Sequence, residues 1–177
     1  MINMILFIRH GESEANRKDV FAGCRDNSPL TEKGLQESLS AAQEIKSKFQ
    51  HVDKIITSPL RRAVDTAHII AEQLNYDVDS IVVDNRLQEY DMGVLSGKPK
   101  KDIRAIDYIT AEGAEDVHVF QRRIMSVVAE ARSFPGTVLL VSHSGVGRMI
   151  SATSRAMPVE QFYNIPSYGN AKVVELV

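Results

Sequence analysis

Ile5-Leu6-Phe7-Ile8-Arg9-His10-Gly11-Glu12-Ser13 begins as an apolar run and stops abruptly at a cation, an imidazole and a glycine. A strand with one wet face alternates apolar and polar residues. Met4 to Ile8 does not alternate, so the run predicts a central strand covered on both faces. Such strands belong to α/β sheets, whose ligands bind in the crevice beyond the carboxyl ends of the strands. Arg9 and His10 would stand there. Arg9 is a permanent, fork-shaped donor for phosphate or carboxylate, and Gly11 is expected to let the backbone approach a ligand closely.

The 177 residues, 44% hydrophobic and 25% charged, suit one globular domain spanning 1–177. Lys and Arg total 21 against 23 for Asp and Glu, a formal charge of −2 that argues against a nucleic-acid binder. The single cysteine, Cys24, excludes an intramolecular disulfide framework and a multi-cysteine metal site, so a reducing, cytoplasmic setting is expected. The N-terminal apolar stretch is too short for a signal peptide or a membrane span, and no membrane association is expected.

Further along, Glu12 to Pro29 is polar and aperiodic and predicts a long functional loop, in which Asn16, Arg17 and Arg25 are candidate anion contacts. Leu35, Leu39, Ala42, Ile45 and Phe49 recur at helical spacing, which predicts a helix from Thr31, its cap, to about Gln50. Lys54 to Thr57 predicts a second strand. Pro59 then opens a helix whose buried face carries Leu60, Val64, Ala67, Ala71 and Leu74. Arg61 and Arg62 fall in its first turn, where the helix dipole favours an anion, with one arginine facing the site and the other solvent. A third strand, Ile81 to Val83, leads to Glu89 and Asp91. Gly97 to Gly113 predicts a short lid with a partial helix near Asp102 to Tyr108. A long helix from about Glu115 to Ser133 precedes a fourth strand, Thr137 to Val141, which ends at His143. A helix from Val146 to about Thr153 and a last edge strand, Ala171 to Val177, complete the chain.

Four strand ends therefore offer polar groups to one crevice: Arg9 and His10, Ser58 with Arg61 or Arg62, Glu89, and His143. Two histidines, two arginines and a carboxylate suit phosphoryl transfer through a phosphohistidine. A neutral imidazole is a competent nucleophile when a carbonyl holds its other nitrogen. Arginines and a second, cationic histidine would stabilise the transferring group, and a carboxylic acid would protonate the leaving alcohol and then activate water. Competing chemistries fail on spacing. Cys24 is followed six positions on by Leu30, where a cysteine-dependent phosphatase needs arginine. Gly93 to Pro99 is one residue short of a P-loop and has proline at the metal-binding position. There is no His-Glu-x-x-His pair and no Gly-x-Ser-x-Gly elbow. His51, His68 and His118 read as ordinary helix-associated residues.

Arg9-His10-Gly11-Glu12-Ser13 with Asn16, Asp26 to Gly34, Ser58-Pro59-Leu60-Arg61-Arg62-Ala63 with Thr66-Ala67, Leu87-Gln88-Glu89, and Ser142-His143 together resemble the histidine phosphatase superfamily, the phosphoglycerate-mutase-like group. The resemblance implies a three-layer α/β/α sandwich around a mostly parallel sheet, and no metal or cofactor. It makes His10 the phosphorylated nucleophile and places Arg9, Arg62, His143, Asn16 and Ser144 around the phosphate. Arg62 takes this role over Arg61 because the family's arginine directly precedes the alanine found here as Ala63. Glu89 aligns with the proton donor, and Asp91 is the alternative if the loop is shifted. Ser144, Ser96, Glu37-Ser38 and one extra residue near Asp26-Asn27 depart from the common pattern without removing a catalytic group.

The compact segment after Glu89 favours a phosphomonoesterase acting on a small phosphorylated metabolite over a mutase, which must exclude water while it holds the released alcohol. Phosphoglycerate mutase is the alternative. Glu89 argues for an alcohol leaving group and so against a protein phosphohistidine phosphatase, and the full set of groups argues against a merely phosphate-binding module. Lys98, Lys100, Lys101 and Arg104 are candidates for a second anionic group.

Overall fold

The computed structural model describes residues 3–49, 51–101 and 103–176. Strands β1 (Met4–Arg9), β2 (Lys54–Thr57), β3 (Val82–Val83), β4 (Thr137–Ser142) and β5 (Val173–Leu176) form one sheet in the order β3-β2-β4-β1-β5. All pairings are parallel except β1 with the edge strand β5.

The continuous apolar run of β1 is explained by what covers it. Leu6 and Ile8 face one core, with Ile55, Leu139 and Val141 under helices α2 (Glu32–Lys48) and α3 (Arg61–Leu74). Ile5 and Phe7 face the other, with Val138 and Leu140 under α5 (Val117–Ser133) and α6 (Ser144–Ser154). Neither face is wet, so neither needs polar residues, and the three-layer α/β/α expectation holds.

Element ends show where local chemistry departs from apolar spacing. The predicted loop after β1 contains a short helix, α1 (Glu14–Arg17), capped by Ser13 in a reciprocal bond with Asn16. The buried face of α3 is Arg62, Ala63, Thr66, Ala67, Ile70 and Ala71, rotated from the apolar stripe because Arg62 and Thr66 are buried for polar reasons. Val64 and Leu74 are only partly buried. The helix in the lid, α4 (Ala105–Thr110), begins later than expected, and Asp102 lies outside the described residues. Strand β3 lacks Ile81, and β5 starts at Val173 because Ala171 has a φ of 50°, outside the strand region.

Gly11 has a different reason from the expected one. A Cβ there would lie 2.3 Å from the Gly34 carbonyl oxygen, and one on Gly34 would lie 2.1 Å from the Glu12 carbonyl oxygen. The two glycines let the exit of β1 seat directly on the first turn of α2, where Thr31 N–H also donates to the Glu12 carbonyl at 2.9 Å. Gly11 serves packing rather than ligand approach.

Candidate active site

Register brings the strand ends level. Arg9 pairs with Ser142 and Thr57 with Val141, so His10, Ser58 and His143 leave their strands side by side. The His10 and His143 rings then meet edge to face at 5.2 Å between centroids. Both residues are buried.

Two hydrogen bonds fix the tautomer of His10. Its Nδ1 lies 2.7 Å from the Gly11 carbonyl, which can only accept, so Nδ1 carries the proton. Arg62 Nε donates to Nε2 at 3.1 Å, so Nε2 keeps its lone pair. That is the form a nucleophile needs. Arg62 is nearly fully buried, and its other nitrogens donate to the Asp26 carbonyl at 2.6 Å and the Gly23 carbonyl at 2.9 Å. Arg61, one position earlier, is exposed and faces Asp65.

Arg9 donates from Nη1 to Ser167 Oγ and the Tyr168 carbonyl, and its buried Nε has no partner among the described residues. His143 Nε2 lies 2.6 Å from Ser58 Oγ. Ser58 Oγ accepts the Leu60 N–H, and among the described residues His143 Nε2 is the acceptor its hydroxyl hydrogen reaches, which assigns the imidazole proton to Nδ1. That Nδ1 is buried without a partner among the described residues. Asn16 Oδ1 accepts from Ser13 and from Asn170, which turns its amide NH₂ to the cleft that Asn16 lines. Ser144 also lines it, with its hydroxyl against Ser167 Oγ at 2.7 Å.

Glu89 enters the same cleft from the loop after β3. Tyr90 N–H donates to its Oε1 at 2.9 Å and Gly145 N–H, in the first turn of α6, to its Oε2 at 3.0 Å. A Cβ on Gly145 would lie 2.3 Å from Glu89 Oε1, so only glycine leaves room for the carboxyl. Gly145→Ala is therefore expected to displace Glu89 and lower kcat/KM by about 10²-fold, the cost of an ångström-scale misplacement. The inhibition constant of orthophosphate should stay near its original value, and a parallel loss of orthophosphate binding would contradict this.

The two histidines carry a cost. Burial, then Arg62 and Arg9, push the His10 imidazole well below the usual histidine range, and burial, then Arg62 and His10, do the same to His143. The expectation of a cationic second histidine is corrected: both rings are neutral at neutral pH. Below the unfolded value near 6.5 the unfolded chain binds protons that the folded chain refuses, so stability falls as pH drops from there toward the depressed folded values. Each histidine contributes a slope of about 1.4 kcal/mol per pH unit. Urea unfolding between pH 7.5 and 5 should show this loss and His10→Gln should remove one histidine's share; an unchanged slope in the variant would contradict it.

Several expected contacts lie elsewhere. Asp91 pairs with Arg25 at 2.8 Å and Arg17 with Glu14 at 2.6 Å, all away from the cleft. Of the lysine-rich segment only Lys100 reaches the cleft wall, paired to Asp19 at 3.2 Å. The lid is tied down by Phe21 N–H to the Lys98 carbonyl and Gly97 N–H to the Phe21 carbonyl. Tyr108 stacks on Tyr163 at 4.0 Å and meets Phe21 edge-on. The rest of this cleft of about 180 Å³ is thus walled by Phe21, Met92, Tyr108 and Tyr163, with Arg148 beside Tyr163. Sequence reading missed Tyr163 and Arg148. Arg148 lies one helical turn after Ser144, a spacing that could have marked it. Among the described residues no group of three or more His, Cys, Asp or Glu converges as metal ligands would, and no helix is long and apolar enough to cross a membrane.

A model of the histidine phosphatase superfamily (branch 1) matches residues 5–177. A 2,3-bisphosphoglycerate-dependent phosphoglycerate mutase of Parvibaculum lavamentivorans is 40% identical over 122 residues, 69% of this chain and 55% of that protein. The match therefore spans about half the length of that relative. The mutase of the same name from Thermoplasma acidophilum is 33% identical over 93% of this chain and 82% of its own. The solved structure of a mycobacterial glucosyl-3-phosphoglycerate phosphatase superposes with a TM-score of 0.80 at 26% identity, covering 99% of this chain and 90% of that one.

Proposed function

Since the chain belongs to the histidine phosphatase superfamily, branch 1, we propose that it is a metal-independent phosphomonoesterase that hydrolyses small phosphorylated metabolites through a phosphohistidine on His10. The observation that carries this reading is the doubly fixed His10 tautomer, whose Nε2 lone pair is held against Arg62 in the cleft.

His10 Nε2 attacks phosphorus while the P–O bond to the alcohol breaks, and Glu89 as carboxylic acid gives its proton to the departing oxygen. Arg62 exchanges its bond to His10 for one to a phosphoryl oxygen. Arg9, the Asn16 amide and the orphan Nδ1–H of His143 donate to the others, with Ser144 at the same wall. Two arginines fill the role that magnesium has in kinases, stabilising charge on the transferring group. Glu89, now a carboxylate, takes a proton from water as that water attacks the phosphohistidine, and orthophosphate leaves.

The similarity to mutases supports a second reading, phosphoglycerate mutase. The compact lid favours the phosphatase, because its helix α4 has six residues and the released alcohol has little to retain it. Orthophosphate release from a panel of phosphomonoesters with EDTA present, beside 3-phosphoglycerate with and without bisphosphoglycerate primer, separates the two. Chelator-insensitive release of orthophosphate is expected. Primer-dependent isomerisation without release would make it a mutase, and inhibition by EDTA would overturn metal independence.

A further inference from the structure

Arg123 on α5 has a fully engaged guanidinium near the site, though the chemistry proposed above does not use it. A guanidinium has five N–H donors, and all five are placed here. Nε and Nη2 grip the two oxygens of Glu115 at 2.7 and 2.8 Å. Nη1 donates to the Arg86 and Gln88 carbonyls, both at 2.7 Å, and Nη2 to the Glu89 carbonyl at 3.3 Å. Both side chains are mostly buried, at 18% and 17% exposure, in a setting where a bidentate pair is held firmly. Glu115 grips the same loop from the other side. Its N–H donates to the Asp91 carbonyl at 2.9 Å, and its carbonyl accepts the Tyr90 hydroxyl at 2.5 Å.

The segment so held, 86–91, begins inside a short 3-10 turn (Asn85–Leu87) and has no strand ladder to satisfy its carbonyls. It also carries Glu89. The phosphate pocket, by contrast, is built on β1, α3 and β4, none of which Arg123 hydrogen-bonds.

We infer that Arg123, oriented by Glu115, is a positioning residue for Glu89: it fixes the backbone that aims the carboxyl at the leaving-group oxygen, without touching substrate. This rests on the reading of Glu89 as proton donor. A lysine at 123 keeps a charge for Glu115 but concentrates its donors at one point and cannot span three carbonyls.

The test compares kcat/KM of Arg123→Lys on an alkyl phosphate, whose alkoxide needs a proton to leave, and on p-nitrophenyl phosphate, whose phenolate does not. A loss of about 10²-fold is expected on the alkyl ester, the scale of a small misplacement of a catalytic group. Loss on the aryl ester and change in the orthophosphate inhibition constant should both be small. The double variant with Glu89→Gln should be no slower than Glu89→Gln alone. Equal losses on both esters, a parallel weakening of orthophosphate binding, or no loss at all would overturn the inference. Should Arg123→Lys not fold, Glu115→Gln, which keeps the shape of the partner, is expected to show the same ester-dependent split, and equal losses there overturn the inference likewise. Glu89→Gln alone tells the two levels apart. If it splits the esters and Arg123→Lys does not, only the positioning role falls. If it does not split them, the proton-donor reading falls and the positioning role with it.

Discussion

His10→Ala is expected to abolish turnover of every phosphomonoester, by at least about 10⁴-fold, because the attacking atom itself is removed. The effect should be chemical rather than structural. Arg62 keeps its bonds to the Gly23 and Asp26 carbonyls, and Arg9 its contacts to Ser167 and Tyr168, so the anion pocket persists. Calorimetry should therefore still detect orthophosphate binding to the variant, while no acid-labile phosphoprotein forms during incubation with substrate. Substantial residual turnover would mean that phosphate passes directly to water. Lost orthophosphate binding would mean that His10 holds the pocket together.

Glu89→Gln is the second large effect. Glutamine matches the shape but supplies no acid, and its NH₂ must face one of the two backbone donors, Tyr90 N–H or Gly145 N–H, that the carboxylate accepts. Loss of general acid catalysis costs about 10²- to 10⁴-fold. On alkyl esters that loss should appear in full. Esters with acidic leaving groups should be spared, since they need little protonation to depart. Asp91 cannot substitute, being paired with Arg25 away from the cleft. An unchanged rate on alkyl esters would remove Glu89 from the mechanism.

Much of this was legible in the chain because buried strands leave a simple mark. A run such as Met4 to Ile8 can be apolar throughout only where both faces are covered, and that one fact placed Arg9 and His10 at the end of a central strand. The same logic located His143 after β4, whereas Val82 and Val83 of the edge strand β3 are apolar yet exposed, so burial does not account for the run that leads to Glu89. The helix dipole, with two consecutive arginines in one first turn, indicated that one of Arg61 and Arg62 faces inward, and the motif match named Arg62. Other features escaped for physical reasons. The face of α3 is set by a buried guanidinium and by Thr66, whose hydroxyl holds Gly11 N–H at 3.1 Å, and an apolar count cannot see either. Gly11 and Gly34 are explained by contact between segments far apart in sequence. Arg123 looks like any solvated helix arginine until the five acceptors around it are seen together, because three of them are backbone carbonyls and carry no sequence signal.

The most direct test of the phosphatase reading follows the phosphoryl group on His10. Enzyme is labelled by brief exposure to a phosphomonoester, separated from it, and given water with an excess of 3-phosphoglycerate. The account predicts an acid-labile phosphate on the His10 peptide that passes to water as orthophosphate whether or not 3-phosphoglycerate is present. Transfer of the label to 3-phosphoglycerate, forming bisphosphoglycerate in preference to orthophosphate, would contradict it.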